Sequence, residues 1–529
     1  MTRVGLFGWG IVAPRSPDIE TFATNLASAT SWLAPFHGFG PDNFLVGQPE
    51  FRFEAYKKWI TERFTPNRFH QLEEKMDPST HYAIGAFVQA LEQNPGLEDV
   101  LQDLGTQAHV YVGTGLGSLP TLHDETLALY RAQRRWNRFW SRPERNSAFR
   151  HYANLGEDER RTVSGVPPDP RSVGEDNRDQ TEDVWLAYWA ARSSELAEYL
   201  REVRAIEDLS AEGEIETAKL RVIREKRRLH GKLQEKWQTP TPPWEVVSAK
   251  VIWNIPNTPA SQISMLGRIV GATFAPVAAC STFGVALKLG MDAIQRGEAR
   301  AVVVGATDPP PHALTVGAFY NARVSAADGM VSKPLTRLRG THVAGGAVLW
   351  IVGDFEFMTR RGFSPLGMEP LAVGVTSDAE HIITPTRAGP TRAVRAALDA
   401  AAVEAGDIAA WDLHATATPG DYMEVETLRS IVPDSVLVTA RKGTFGHGMS
   451  AGGGWELTAQ YLGYARGRHF PTPLGATELN AEIRKLHERF VFDQECNAQG
   501  IAGKLSMGIG GINACVISRP WEPALASRR

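Results

Sequence analysis

Cys280 stands where the apolar stretch VAAC gives way to a helical run, TFGVALKLGMDAIQ. Val285, Leu287 and Met291 in that run predict a mostly buried helix, which places Cys280 at its N-terminus. The unpaired N–H groups and the helix dipole at that end favour an anion, so we expect the thiol pKa to lie below its free value of about 8.5. The pattern indicates a nucleophile, and a small buried thiol is the alternative.

Two histidines follow strand-like segments further along the chain. His414 comes at the end of an apolar lead-in, in DLHATATPGD, and His447 closes KGTFGH, five residues after Lys442. Because α/β folds place their sites in loops at strand ends, both histidines are candidate site residues. For either one alone, a hydrogen-bonded structural histidine is the competing interpretation. A zinc site built from Cys280 and the two histidines is disfavoured, since the sequence lacks paired close ligand spacing and an evident fourth ligand.

A glycine-rich turn, SMGIGGINACVI, lies near the C-terminus. Its glycines permit positive φ angles and a close approach of the backbone to a ligand. A backbone N–H group in this turn could point at a developing oxyanion. A tight hairpin turn without a catalytic role is the alternative.

The elements that must position these residues alternate between strand-like and helix-like patterns. Residues 4–14 predict a buried first strand, and residues 108–119 predict a strand followed by a glycine turn. From residue 265 onwards, buried strand patterns are separated by helical ones. This alternation indicates a layered α/β architecture.

Residues 122–250 have a different character and predict a mostly helical insertion between elements of the core. Two long helical patterns, rich in Glu, Lys and Arg, indicate a charged helical hairpin, and the proline-rich WQTPTPPW follows as an exit linker. The start of the insertion is dense in arginine and tryptophan: Arg131, Arg134, Arg135, Trp136, Arg138 and Trp140.

Composition restricts the class of protein. With 529 residues, 43% hydrophobic and 22% charged, the chain is long enough for two large halves or about three domains. A net charge of −4 gives no global reason to expect nucleic acid. Cys280, Cys496 and Cys515 are too few and too scattered for a disulfide framework, which predicts a reducing, cytoplasmic location. No stretch approaches the roughly 20 apolar residues that a membrane span needs.

Four motifs, taken together and in chain order, resemble those of the β-ketoacyl synthase family, the condensing enzymes of fatty acid and polyketide synthesis. ACSTF is similar to the family's nucleophile elbow, and HATAT to its His-Gly-Thr-Gly-Thr motif. KGTFGH is similar to its Lys-x-x-x-Gly-His motif, and GIGGINA to its Gly-Phe-Gly-Gly-Thr-Asn-Ala turn. The resemblance covers about residues 1–120 and 254–518. Any one of the four motifs is weak evidence, but the four in this order are specific to the family.

The resemblance implies a thiolase fold, in which two similar α/β halves stack as αβαβα layers. The N-terminal half would be residues 1–365, carrying the helical insertion at about 122–250, and the C-terminal half would be residues 366–529. The family usually dimerises, so the chain is expected to form a homodimer, or a heterodimer with a synthase-like subunit.

The resemblance also implies a reaction, decarboxylative Claisen condensation. Cys280 would take an acyl group from the phosphopantetheine thioester of an acyl carrier protein. A malonyl thioester on the carrier would then lose CO₂, and the resulting carbanion would attack the acyl group to give a β-ketoacyl thioester. This chemistry implies no cofactor and no metal beyond the carrier-bound phosphopantetheine.

Residue roles follow from the same resemblance. His414 and His447 would donate N–H groups to the enolate, and Lys442 would tune the electrostatics and position His447. The backbone N–H groups of Cys280 and Ile509 would form the oxyanion hole. Substrate-binding roles would fall to Thr416, Thr418, Phe319, Gly510 and Gly511.

The sequence departs from the family pattern at several of these motifs. Ala415 and Ala417 replace two glycines, and Ile509 replaces the phenylalanine that gates the acyl tunnel. The loops PLTRLRG and AGGAV lack acidic residues found in the family, including a glutamate that supports the active-site lysine. The sequence therefore does not identify a carboxylate partner for Lys442.

Two other functions remain as alternatives. One is a non-catalytic synthase-like partner of the chain-length-factor type, although such partners usually lack the nucleophile that Cys280 supplies. The other is a thiolase-like enzyme that uses coenzyme A thioesters with Cys515 as a second base, but Cys515 lies on an apolar strand where core packing is favoured. For the Arg/Trp stretch of the insertion a solvated or ion-paired helix is favoured over carrier docking, and carrier docking over nucleic acid.

Overall fold

The structure, a computed structural model, describes residues 2–40, 43–210, 215–382 and 386–522. It divides into two compact units, one made of Met1–Pro120 with Ile252–Arg529 and the other of Thr121–Val251. The predicted helical insertion, residues 122–250, lies within the second unit. Among the described residues, none of the helices combines the length and apolar character that crossing a lipid bilayer requires.

Runs of buried, β-branched-rich sequence form the strands, as the apolar patterns predict. In chain order they are β1 (Val4–Val12), β2 (Ala34–Pro35), β3 (Leu45–Val46), β4 (Ala108–Gly113), β5 (Thr273–Phe274), β6 (Ala301–Asp308), β7 (Gly346–Asp354), β8 (Met368–Ser377), β9 (Ile408–Asp412), β10 (Leu437–Thr439), β11 (Arg468–His469), β12 (Cys496–Asn497), β13 (Ile501–Gly508) and β14 (Ile512–Pro520).

The larger strands of the first unit form two sheets that share one topology. Within the described residues the first sheet has the order β1-β7-β6-β4-β5 and the second the order β10-β9-β13-β14-β8. If the strands of each sheet are numbered along the chain, both sheets read 1-5-4-2-3. The pairing directions agree as well: the 1–5 and 5–4 pairs are antiparallel, and the 4–2 and 2–3 pairs are parallel. The fold therefore contains the same α/β unit twice.

The helices connect these strands and build the second unit. They are α1 (Ile19–Asn25), α2 (Lys57–Arg63), α3 (Asn67–Lys75), α4 (Pro78–Glu92), α5 (Leu97–Asp103), α6 (Leu119–Trp140), α7 (Ser147–Asn154), α8 (Glu157–Thr162), α9 (Glu175–Ala190), α10 (Ser194–Glu207), α11 (Ile215–Trp237), α12 (Pro243–Val246), α13 (Lys250–Trp253), α14 (Thr258–Gly267), α15 (Thr282–Gln295), α16 (Ala313–Asn321), α17 (Phe355–Arg360), α18 (Ala388–Ala401), α19 (Gly420–Arg429), α20 (Lys442–Phe445), α21 (Met449–Ala465) and α22 (Ala481–Leu486).

Helices cover both faces of each sheet. α4 packs on β1 and β7, and α18 packs on β8 and β14, so these two helices form outer layers. α15 and α21 pack against each other between the sheets, and each contacts strands of both. The order of layers is therefore α, β, α, β, α, which confirms the predicted fold. The predicted boundary between residues 365 and 366 falls in the connection from α17 to β8.

The two central helices approach each other closely because small residues line α21. A Cβ atom on Gly454 would lie 2.7 Å from Phe283 Cδ2 of α15 and 2.4 Å from Val348 Cγ1 of β7. Only glycine leaves room for this contact. Both helices also begin in the same way, because Cys280 precedes the first residue of α15 by two positions and His447 precedes the first residue of α21 by two positions.

The second unit has an aromatic core of its own. Trp136, Phe139 and Trp140 of α6 pack with Tyr199 of α10 and Leu233 of α11. α10 and α11 contact each other and form the charged hairpin. The first of the two long helical patterns is broken, however. It divides into α9 and α10, because Ser193 caps a new helix by accepting a hydrogen bond from the Leu196 N–H group.

Candidate active site

The backbone around Cys280 forms a sharp turn between a loop and α15. Ala279–Ser281 is a single turn of 3₁₀ helix, and Ala279 has a φ of 49°, a left-handed conformation that costs a non-glycine residue about 1–3 kcal/mol. The Ser281 hydroxyl donates to the carbonyl oxygens of Ser506 at 3.1 Å and Ile512 at 2.8 Å. These bonds tie the turn to the β13–β14 hairpin and hold its strained shape.

The glycine turn between β13 and β14 lies directly against this elbow. A Cβ atom on Gly508 would lie 2.7 Å from the Ala278 carbonyl oxygen and 3.3 Å from the Cys280 nitrogen, so the approach requires glycine. The backbone N–H groups of Ile509 and of Cys280 itself both act to lower the pKa of the thiol. The two predicted oxyanion-hole donors are therefore both close enough to the sulfur to favour a negative charge there.

The structure brings the two predicted histidines to the thiol. His447 Nε2 is 3.1 Å from Cys280 Sγ, within hydrogen-bond distance. The ring of His414 is 5.3 Å from that of His447, centroid to centroid, and nearly perpendicular to it at 84°. Cys280 lies 167 residues before His447 along the chain. The three side chains meet at one point, because each follows a strand end that faces the central layer.

These side chains line one cavity of about 430 Å³. Predicted residues on its wall are Cys280, His414, His447, Thr416, Thr418, Phe319 and Ile509. The Ile509 side chain is 43% exposed, whereas Cys280 is 6% exposed, so the cavity runs from the surface to a buried sulfur.

Gly510 and Gly511, the other predicted substrate contacts, lie at the turn between β13 and β14. Neither residue lines this cavity. The Gly510 N–H group donates to the Ile382 carbonyl at 2.6 Å, and the Gly511 N–H group donates to the Gly508 carbonyl at 3.0 Å. Their φ angles of 92° and 74° show that they shape the turn, which is the role that only glycine fills easily.

The thiol pKa also differs from the expectation. Burial raises the pKa of Cys280 to about 11, and it outweighs the opposing effects of Lys442 and of the two backbone N–H groups. Placement at a helix N-terminus predicts a lowered pKa, but it does not account for the loss of solvent around the thiolate. The resting group is therefore a thiol whose proton must be transferred when it reacts.

Both imidazoles are held in the neutral form. Burial lowers the pKa of His414 well below its ordinary value, and Lys442, His447 and Lys504 add to the effect. Burial, Lys442 and Lys504 lower the pKa of His447 in the same way. A neutral imidazole can donate one N–H hydrogen bond and does not need to lose a proton first.

Lys442 lies behind His414, and its partner is a residue that the sequence analysis missed. Its ammonium group donates to the His414 carbonyl oxygen and to Glu456 Oε1, the latter at 2.6 Å. Glu456 lies on α21 and is fully buried. It gives Lys442 a buried carboxylate partner. A glutamate inside a glycine-rich, otherwise apolar helix was the available signal.

Two buried carboxylates hold the loop that carries His414. Glu424 accepts the N–H groups of His414 at 2.6 Å and Ala415 at 2.8 Å. Asp421 accepts those of Thr416, Ala417, Thr418 and, from a second loop, Leu335. Burial raises the pKa of Asp421 to about 6 and that of Glu424 to about 7. The loop geometry thus comes from carboxylate–backbone bonds.

The GTGLG turn and Cys515 have structural roles. The GTGLG segment wraps around Asp308, which accepts the N–H groups of Gly115 at 2.9 Å and Leu116 at 2.7 Å. Cys515 lies on β14 in the outer core of the second sheet, fully buried and away from the cavity. Within the described ranges, no three His, Cys, Asp or Glu side chains are placed to share a metal ion.

Models of two protein domains match the chain. The model described as "Beta-ketoacyl synthase, N-terminal domain" matches residues 1–148 and 230–352, and "Beta-ketoacyl synthase, C-terminal domain" matches residues 369–473. The gap between 148 and 230 lies inside the second unit. The motifs around Cys280, His414 and His447 lie inside the matched ranges.

Individual proteins and solved structures are also similar to the chain, at sequence identities of 26%, 19% and 14%. The 3-oxoacyl-[acyl-carrier-protein] synthase 2 of Staphylococcus aureus (strain COL) is 26% identical over 289 residues, which are 51% of this chain and 66% of that protein. The ishigamide ketosynthase/chain length factor has a TM-score of 0.66 at 19% identity, covering 98% of this chain and 100% of that one. The structure of a type II PKS acyl-carrier protein in complex with its ketosynthase bound to the hexaketide has a TM-score of 0.65 at 14% identity. The match covers 98% of this chain and 100% of that one.

Proposed function

The chain belongs to the β-ketoacyl synthase family, and from this premise we propose that it catalyses a decarboxylative Claisen condensation. The substrates are an acyl group carried on Cys280 and a malonyl thioester on an acyl carrier protein, and the product is a β-ketoacyl thioester of fatty acid or polyketide synthesis. One observation carries the proposal: the Cys280 sulfur lies 3.1 Å from His447 Nε2, with His414 on the wall of the same cavity.

In the first half-reaction the Cys280 sulfur attacks the acyl thioester carbonyl. The sulfur–carbon bond to Cys280 forms, the bond to the carrier's pantetheine sulfur breaks, and the thiol proton ends on that leaving sulfur. His447 Nε2 is close enough to move the proton. The N–H groups of Cys280 and Ile509 stabilise the oxyanion, a contribution of about 10²–10³ in rate for a single such donor.

In the second half-reaction the malonyl thioester loses CO₂ and leaves an enolate. N–H groups of the neutral His414 and His447 rings donate to its thioester oxygen. The enolate carbon then attacks the acyl carbonyl, a carbon–carbon bond forms, and the Cys280 thiolate leaves and regains a proton from solvent. The depressed pKa keeps the His414 ring neutral, and a neutral ring still supplies the one N–H donor that this step uses.

The partner in this proposal is an acyl carrier protein with its phosphopantetheine arm. Thr416 and Thr418 line the route to Cys280 and supply hydroxyls for the amides of such an arm. No cofactor or metal enters the proposed steps beyond that arm. Free Cys280, Cys496 and Cys515 thiols support a reducing, cytoplasmic location.

The proposal includes a homodimer formed through the edge of the first sheet. β5 is one of the two edge strands of this sheet, and among the described residues it pairs with β4 alone. Val270, Phe274 and Val277 around it are 69%, 41% and 61% exposed. A second copy of the chain would cover this apolar edge, whose exposure otherwise favours aggregation.

Light scattering tests the dimer. The wild-type chain and Met330→Lys, a control at another exposed apolar residue, are expected to have the mass of two chains, and Phe274→Lys that of one. A wild-type chain with the mass of one chain at micromolar concentration contradicts the proposal.

Acylation of Cys280 tests the reaction. A radiolabelled acyl group on a carrier protein is expected to label the wild-type chain and to leave Cys280→Ala unlabelled. Added malonyl carrier should then release CO₂ and transfer the label into a longer thioester. An unlabelled wild-type chain would favour the non-catalytic partner subunit, and exchange without CO₂ release would favour a thiolase-like enzyme.

A further inference from the structure

Lys504 is a buried cation that the proposed steps do not use. It lies on β13 and is 1% exposed. Its ammonium nitrogen is 2.8 Å from Glu456 Oε2 and donates to the Leu505 carbonyl oxygen at 2.6 Å. A charge inside a strand core persists only where it is paired and hydrogen-bonded, so the surroundings of this residue are arranged to hold a cation.

Glu456 connects Lys504 to the active site. One carboxylate oxygen, Oε2, faces Lys504, and the other, Oε1, accepts from Lys442 at 2.6 Å. Lys442 also donates to the carbonyl oxygen of His414. Because one carboxylate bridges the two ammonium groups, the position of Lys442 beside His414 depends on Lys504.

We infer that Lys504 is a positioning residue for the proposed condensation. It fixes Glu456, and through it Lys442, against the backbone of His414, and its charge helps to keep both imidazoles neutral. The inference rests on the proposed function. Lys504 does not line the cavity and so acts through its neighbours.

The charges around Lys504 favour neutral imidazoles. Asp412 lies between it and Arg441, 3.7 Å from the Lys504 nitrogen and 3.2 Å from Arg441 Nε. Three cations, Lys442, Lys504 and Arg441, thus face Glu456 and Asp412. The positive charges of Lys442 and Lys504 beside the imidazoles oppose their protonation.

The other ionisable groups near the rings come from α19 and from the turn before α15. Glu424 and Asp421 accept backbone N–H groups of the His414 loop, and Cys280 contacts His447. Lys442 and Lys504 both lower the pKa of each ring. Removing the Lys504 charge should therefore raise both pKa values, whereas a purely structural loss would leave them unchanged.

The test is the pH dependence of malonyl-carrier decarboxylation by the 529-residue chain. Lys504→Met is expected to slow the reaction about 10²-fold at neutral pH, on the scale of a small misplacement at the reacting groups. The acidic limb of its profile should move up by about one pH unit. Lys504→Arg keeps the charge and should keep the wild-type limb. Lys485→Met, which removes an exposed lysine, should match wild type in both measures.

A second variant covers the case in which Lys504→Met does not fold. Glu456→Gln cuts the same link but removes a negative charge, so its acidic limb should move to lower pH while its rate falls. A limb that stays at the wild-type position in both variants, with only the rate reduced, overturns the inference. Acylation of Cys280 separates the two proposals: a wild-type chain that cannot be labelled refutes the proposed function, whereas labelled variants with unmoved limbs refute only the role of Lys504.

Discussion

At Cys280 two effects on one sulfur oppose each other. The start of α15 and the nearby Lys442 favour the thiolate, and burial favours the thiol. The effect of burial is the larger one, so Cys280 at rest is a neutral thiol and not a thiolate. The site offers instead a thiol with a neutral ring nitrogen 3.1 Å away, which can move the proton during attack. A protected thiol of this kind is also less exposed to oxidation.

The raised pKa of Cys280 predicts how fast the thiol is alkylated at different pH. With a pKa of about 11, the thiolate fraction should rise about tenfold per pH unit between about pH 7 and about pH 9. The rate of iodoacetamide modification, followed by mass spectrometry, should rise in parallel. Cys496→Ser is the appropriate background, because it removes the partly exposed thiol. A rate that levels off below about pH 9 would show an activated, low-pKa cysteine instead.

Residues whose role depends on their own motif could be predicted from the sequence, and residues whose role depends on burial could not. The positions of Cys280, His414 and His447 at strand ends follow from short patterns, and the structure brings them together. Glu456 and Lys504 each look like an isolated charge in an apolar run, and their pairing requires knowledge that α21 lies against β13. The misjudged thiol pKa has the same cause, since solvent access is a property of the folded chain.

At the scale of the element, one loop and its carboxylate illustrate how the site is held. The loop from His414 to Pro419 has little regular structure, and Ala417 within it has a φ of 59°. Asp421 compensates by accepting four backbone N–H groups. The loop is therefore as fixed as a strand end, although no ladder of backbone bonds supports it.

Asp421→Ala should destabilise the chain and misplace His414. Removal of the carboxylate leaves four N–H groups without an acceptor, and we expect the free energy of unfolding to fall by about 3 kcal/mol. Urea denaturation measures this change. Asp407→Ala, at an exposed aspartate, should lie within about 0.5 kcal/mol of wild type. Equal stability of the two variants would mean that water replaces the lost acceptor.

Helices and strands with a clear period could be predicted, and their interruptions could not. β6, β7 and α18 match the buried patterns of the sequence closely. The break between α9 and α10 depends on a single cap at Ser193. The apolar pattern continues across the break, so the pattern alone does not reveal it. α20 is one turn long and lies inside a segment that only suggests a loop. Short elements of this kind depend on their tertiary contacts more than on their propensity.

At the scale of the whole molecule, the second unit has a hydrophobic core of its own. Trp140 and Tyr199 are fully buried within Thr121–Val251, and the matched family ranges leave a gap inside it. The first unit has separate cores on each side of its sheets. Such units are expected to open independently.

Trp140→Ala should loosen the second unit alone. A cavity of that size costs about 3–5 kcal/mol, so backbone hydrogen exchange should speed up within residues 121–251 and stay unchanged elsewhere. Trp411→Ala, at a tryptophan in the outer core of the second sheet, is the matched change and should affect only the first unit. Mass spectrometry of exchanged peptides measures both. Faster exchange throughout the chain in either variant would show a single cooperative body.

The duplication was predicted only through the family resemblance and not from the residues themselves, because the two copies share topology rather than motif. Cys280 and His447 occupy equivalent places, two residues before the central helix of their respective copies. In two identical chains related by a two-fold axis, equivalent positions would carry the same side chain. Because both copies belong to one chain, these equivalent positions carry different side chains, a nucleophile and its proton carrier.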